Sequence, residues 1–237
     1  MTDEGAGRRR MVRPPTAGQA SGRGAPKRLK AATQHSPSSQ AWLERQLNDP
    51  FAAAARVHGY RSRAAFKLTE LDDRFHLISK DARVIDLGCA PGGWVQVALE
   101  RGAGSVVGVD LLSIDPIPPA QIIVSDFTYP GCGERLVGLL GGRPDIVLSD
   151  MAPNTMGHKQ TDHLRIVALV EAAADFAIGV LPHGGAFVAK AFQGGETQSV
   201  LKLLKSRFTD VRHVKPKASR ADSSEVYLVA TGFKGGR

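Results

Sequence analysis

Along most of this chain short apolar runs alternate with longer segments whose apolar residues recur at helical spacing. The runs at 84–87, 105–109, 121–124, 146–149, 186–189, 210–214 and 225–230 read as strands. Between them, 95–101, 134–140, 162–181 and 197–207 read as helices. Two more helices precede the first strand, over 41–55 and 62–75. Gly59 separates them, and Ala65, Phe66, Leu68 and Leu71 give the second an apolar face. This alternation predicts an α/β fold, a mostly parallel sheet with helices on both faces. The last two strands have no helix between them and are expected to pair antiparallel at one edge. Ligands of such sheets bind beyond the carboxyl ends of the strands.

The first strand runs into Asp86-Leu87-Gly88-Cys89-Ala90-Pro91-Gly92-Gly93-Trp94. A glycine-rich strand-to-helix turn lets a ligand approach bare backbone, and the next helix aims its free N–H groups into the same crevice. The spacing is not the Gly-x-Gly-x-x-Gly of dinucleotide loops, and the acid at the strand end would repel a pyrophosphate. S-adenosylmethionine, with a sulfonium and an amino group, suits this loop better than a nicotinamide dinucleotide.

Polar residues gather at the following strand ends. Asp110 lies 22 residues beyond Gly88, close to the ~20-residue offset at which an acid accepts from ribose hydroxyls. Asp126 follows the third strand and could address an adenine amino group. Asp150 follows the fourth, within Leu148 to Asn154, and Lys190 ends the fifth. Any one of the aspartates is equally a turn former or a helix cap. A lysine ending an apolar strand is less ordinary, because its ammonium must be solvated or paired.

The glycine-loop segment, Ser149 to Asn154 and Ala189 to Phe192 together resemble the FtsJ/RrmJ family of ribosomal-RNA 2′-O-methyltransferases. Arg61 to Leu68 and Ser224 to Tyr227 extend the match, which runs from about residue 40 to the C-terminus. The resemblance implies a Rossmann-like S-adenosylmethionine-dependent methyltransferase fold with a seven-stranded sheet. It implies a catalytic set of Lys67, Asp150, Lys190 and Glu225, and cofactor contacts at Gly92, Trp94, Asp110, Asp126 and Asp150. The implied reaction is methylation of a uridine ribose in 23S rRNA of the large ribosomal subunit. A tRNA substrate and a non-catalytic RNA-binding assembly factor are the rival readings. The second has no need for the complete lysine and carboxylate set.

Methylating a ribose 2′-hydroxyl requires its oxygen to attack the sulfonium methyl in line while its proton is removed. A lysine with its ordinary pKa of ~10.4 cannot accept that proton near neutrality. A second ammonium nearby, such as Lys67, disfavours the charged form, whereas Asp150 and Glu225 favour it. Lys190 is therefore either the base that receives the proton or a fixed cation that steadies the developing alkoxide. Taken singly, Lys67 reads equally as a surface lysine, Glu225 as an edge charge and Trp94 as core.

Charge adds a partner class. Eight Lys/Arg against two acids in residues 1–38 give that stretch +6 of the chain's net +8. Its Gly, Pro, Ala and Ser content predicts a disordered basic tail before a methyltransferase domain at 39–237. The tail is either a nucleic-acid arm or a solvated extension. Arg56, His58, Tyr60, Arg61 and Arg63 form one basic and aromatic group near Lys67, and Lys215, Lys217 and Arg220 another before Glu225. Both are candidate RNA contacts or plain solvated surface. His158, Lys159 and His163 form a candidate lid. Two cysteines, Cys89 and Cys132, suggest a reducing, cytoplasmic setting. The pattern contains no membrane span and no metal constellation, and a monomer is the default expectation.

Overall fold

The computed structural model describes Gln40 and residues 48–152, 159–193, 198–220 and 223–236. The tail 1–38, most of the first half of the 41–55 helix, Asn154, Thr197 and the candidate lid side chains lie outside the described residues. Helix α1 (Pro50–His58) begins where Asp49 accepts from the Phe51 and Ala52 amides, at 3.0 and 3.2 Å, and Pro50 opens its first turn. That cap sets a helix boundary within the expected 41–55 segment. Gly59, in the left-handed region, ends α1 as its position suggests. Helix α2 (Ala64–Phe75) follows.

Strands β1 (Arg83–Leu87), β2 (Ser105–Asp110), β3 (Gln121–Val124), β4 (Ile146–Ser149) and β5 (Ala186–Phe192) are separated by α3 (Gly93–Glu100), α4 (Cys132–Leu140) and α5 (Lys159–Val180), except that β3 follows β2 with no helix between. Helix α6 (Gln198–Arg207) runs directly into β6 (Phe208–Val214), and β7 (Glu225–Phe233) completes one seven-stranded sheet. The order β3-β2-β1-β4-β5-β7-β6 matches the expected mostly parallel sheet. β7 is antiparallel to both of its neighbours, β5 and β6.

Two apolar clusters sandwich the sheet. One packs Leu136, Leu140, Val170, Ala174, Val200 and Leu204 from α4, α5 and α6 against it. The other packs Ala55, Phe66, Leu68, Trp94, Val95 and Ala98 from α1, α2 and α3 on the opposite face. The order reverses between β1 and β4, so a crevice opens at their carboxyl ends.

Two expected strand ends are corrected. Asp86 lies inside β1, not at its end, flanked in register by Gly108 and Leu148 and only 1% exposed. β5 continues past Ala189 to Phe192, because its pairing with β7 runs on to Phe192 opposite Glu225. Lys190 is therefore an interior strand residue opposite Tyr227.

Candidate active site

Two cavities flank the end of β1 and share Gly88, Ala90 and Asp150 as walls. The larger, about 610 Å³, is lined by Asp110, Asp126, Phe127 and Met151 among others. Asp110 accepts from the amides of Ala90 at 2.8 Å and Leu112 at 2.9 Å, which fixes the glycine loop against β2. Asp126 accepts from Thr128 Oγ1 at 2.6 Å and from the Thr128 amide at 2.9 Å. These bonds hold its carboxyl below the usual range, the hydroxyl contributing most.

The smaller cavity, about 140 Å³, is bounded by Ser62, Arg63, Asp86, Gly93, Trp94 and Asp150 among others. Trp94 is buried, and its indole N–H donates to the Ala64 carbonyl at 2.8 Å. Gly92 lies outside both linings. A Cβ on it would stand 2.3 Å from Ile117 Cδ1, and its φ is 108°. The tight feature at Gly92 is thus the packing of the 114–117 segment. Arg61 ties down that segment through the carbonyls of Asp115 and Pro116, at 2.6 and 3.0 Å.

The structure brings Lys67, Asp150, Lys190 and Glu225 together. The Lys67 ammonium sits 2.8 Å from one Glu225 oxygen and 2.9 Å from the other. Lys190 Nζ lies 3.2 Å from Asp150 Oδ1 and also donates to the Asp150 carbonyl. Both lysines are 8% exposed, so each buried cation has a carboxylate partner, as burial demands.

Tyr227 joins the two pairs. Its hydroxyl donates to Asp150 Oδ1 at 2.6 Å, while Lys67 Nζ lies 5.5 Å from its ring centroid. Burial, reinforced by the charges of Asp150 and Glu225, pushes Tyr227 well above its ordinary value, so the hydroxyl remains a donor. Its ring meets Trp94 at 5.7 Å. Sequence reasoning gave this tyrosine no role, although the two-residue repeat of a strand puts it on the same face as Glu225.

A further layer holds Glu225 in place. Ser219 Oγ donates to Glu225 Oε1 at 2.7 Å, and the Ser219 amide closes a turn onto Pro216 at 2.9 Å. Arg63 donates to Asp49 and to the Ala218 carbonyl, and Glu70 accepts from the Lys217 amide at 2.7 Å. Arg63, Lys67 and Glu70 follow helical spacing, so one side of α2 grips the loop that presents Glu225. The basic and aromatic group before Lys67 is therefore partly structural. Tyr60 is 5% exposed and bonded to Glu100 at 2.6 Å, with its ring packed on Phe66, which removes it as a base-stacking platform. Arg56, His58, Lys215 and Lys217 stay exposed.

A doubly wound sheet whose switch point opens onto Asp110, Asp126 and Asp150 places a ligand crevice of the α/β kind beside two buried lysine–carboxylate pairs. Residues 60–233 match the FtsJ-like methyltransferase family, and the chain belongs to that family. It is 65% identical over 225 residues to a protein of Caulobacter vibrioides named ribosomal RNA large subunit methyltransferase E, covering 95% of this chain and 100% of that one. A protein of the same name from Acidiphilium cryptum is 63% identical over 207 residues, 87% of this chain and 92% of its own. The Caulobacter match reaches past the motif-bearing part into the basic tail. A solved structure from Plasmodium falciparum, assigned as a ribosomal RNA methyltransferase, superposes with a TM-score of 0.68 at 34% identity. It covers 75% of this chain and 100% of its own. Among the described residues no helix is long and apolar enough to cross a membrane, and no cluster of potential metal ligands occurs.

Proposed function

We propose that this protein transfers the methyl group of S-adenosylmethionine to the ribose 2′-hydroxyl of a uridine in 23S rRNA of the large ribosomal subunit. The observation that carries the reading is the convergence of Lys67, Asp150, Lys190 and Glu225 on one tyrosine beside the β1 crevice. The names of the Caulobacter and Acidiphilium relatives support the large-subunit RNA as substrate.

The residues of the crevice fit the cofactor. Ser62 Oγ, Arg63 Nε and both carboxylate oxygens of Asp86 are buried without hydrogen-bond partners, and all three residues border the smaller cavity. Two donors and an acid lining one small cavity complement the carboxylate and ammonium of an amino-acid end. Asp110 and Asp126, in the larger cavity, offer acceptors to a nucleoside's ribose and base. When bound, the cofactor supplies a sulfonium methyl that passes to the ribose oxygen as the carbon–sulfur bond breaks onto sulfur.

The chain's own residues orient the acceptor and handle its proton. Asp150 holds Lys190 through both its side chain and its carbonyl; Lys190 first gives a proton to solvent and, as the neutral amine, takes the one leaving the 2′-hydroxyl. Lys67, fixed by both oxygens of Glu225, adds a positive charge that steadies the oxygen as it becomes an alkoxide. The exposed Lys215 and Lys217, on the loop before Glu225, attract the RNA backbone near the target ribose.

The test incubates the protein and radiolabelled S-adenosylmethionine with unmodified large subunits, free rRNA and tRNA, comparing wild type with Lys190→Ala. Label is expected on large-subunit RNA with wild type only. Label confined to tRNA overturns the substrate, and equal labelling by Lys190→Ala overturns the assignment of Lys190.

A further inference from the structure

Asp86 is the most anomalous charged side chain among the described residues. It is 1% exposed in the middle of an apolar strand, and neither oxygen has a hydrogen-bond or ion-pair partner there. Its register neighbours, Gly108 on β2 and Leu148 on β4, bring no polar side chain to it. An isolated buried carboxylate costs several kcal/mol by the usual accounting, roughly enough to drive it neutral. Asp86 is not walled off, however, because it borders the smaller cavity beside the glycine loop.

The charged and titratable groups around it add to the same pressure. Asp150, after β4, and Asp110, at the end of β2, are both acids. Lys190 does not offset Asp86 directly, since it is tied to Asp150. Arg63 shares the cavity but spends its terminal nitrogens on Asp49 and Ala218. Cys89 is held neutral by burial and by the neighbouring Asp86 and Asp110. Burial first, then Asp150 and Asp110, pushes the Asp86 carboxyl well above the ordinary carboxylate range.

We propose that Asp86 is protonated in the empty site and gives its proton to solvent when the cofactor's α-ammonium enters the cavity, so that cofactor binding releases a proton. This deepens the reading given under the proposed function and rests on it. The balance is simple. The ammonium keeps its protons, the neutral carboxyl becomes a carboxylate facing it, and one proton leaves to the buffer. The buried charge is created only when its counter-charge arrives. Asp86 thereby makes the site selective for nucleosides that carry the amino group.

Calorimetric titration with S-adenosylhomocysteine, in buffers of different ionisation enthalpy at one neutral pH, measures the proton count. Wild type is expected to release about one proton per ligand, with affinity that rises as pH rises. 5′-Methylthioadenosine, which lacks the amino-acid end, is expected to release none. Asp86→Asn keeps the shape of the neutral acid and is expected to lose the release and bind S-adenosylhomocysteine about tenfold to a hundredfold more weakly. A measurement on wild type alone keeps the idea testable if that variant misfolds: the infrared carbonyl band of a neutral carboxylic acid should vanish on adding S-adenosylhomocysteine. Binding with no proton release, release that persists in Asp86→Asn, or an unchanged infrared band each overturns the inference and leaves the function reading standing. Failure to bind S-adenosylhomocysteine or S-adenosylmethionine overturns both.

Discussion

Replacing Tyr227 by Phe isolates the hydroxyl that links Asp150 to the rest of the site. The ring stays in a slot with no exposure, keeps its contact with Trp94 and remains beneath Lys67, so no cavity is created. What disappears is one 2.6 Å hydrogen bond to a carboxylate. Such a bond contributes about 1.5–3 kcal/mol. The Asp150 side chain is 17% exposed and still faces Lys190, so water and the ammonium recover part of the loss. The net effect should fall at the low end, about 1.5–2 kcal/mol. For a chain of this size that lowers Tm by about 3–8 °C, with an unchanged urea m-value because the surface exposed on unfolding is the same. If the hydroxyl also orients Asp150 for Lys190, kcat falls by about tenfold, the equivalent of ~1.4 kcal/mol. Differential scanning calorimetry and single-turnover methyl transfer read the two effects separately. A Tyr227→Phe protein that melts with wild type and keeps its kcat would refute the view that this hydroxyl holds the site together.

Other substitutions probe the remaining parts. Lys190→Ala is expected to lower kcat by about 10²–10⁴-fold with little change in cofactor affinity, read by single-turnover methyl transfer and calorimetric titration. Gly92→Ala sets a Cβ against Ile117 at a φ that L-residues avoid, and should cost about 1–3 kcal/mol in urea unfolding. Asp49→Ala removes both the α1 cap and the partner of Arg63, for about 2–4 kcal/mol, and should also slow methyl transfer by loosening the grip on the Glu225 loop. The Asp126 carboxyl is depressed by Thr128, so it favours the folded state above the ordinary carboxylate range and loses that advantage as pH falls. In Thr128→Ala its titration, followed by carbon NMR, should move up toward the ordinary value.

Most strands were legible as short apolar runs, those of β1, β2 and β4 closed by Gly88, Asp110 and Asp150, and their alternation with helices favours a mostly parallel sheet. The four residues of the lysine–carboxylate set were legible as an ordered pattern, although Lys67 and Glu225 meet across 158 positions of sequence. What escaped depends on partners distant in the chain. Lys190 reads as a strand end because a cation after an apolar run normally meets water. Its strand continues only because β7 supplies the other half of the ladder and Asp150 supplies the counter-charge. Tyr60 reads as an exposed aromatic among basic residues, yet Phe66 and Glu100 bury it. Asp86 reads as the polar close of a strand. Nothing local reveals that Gly108 and Leu148 leave it without a partner.

The sheet order also sets a timetable for synthesis. Of the seven strands described, β7 leaves the ribosome after the others, yet its place is between β5 and β6, which precede it in the chain. A nascent chain that ends before residue 225 lacks Glu225 and Tyr227, so Lys67 has no counter-ion in its place and Asp150 has lost its hydroxyl donor. Insertion of β7 thus closes the sheet and completes the lysine–carboxylate set in one event. A chain that stops before β7 has neither the closed sheet nor the full lysine–carboxylate set.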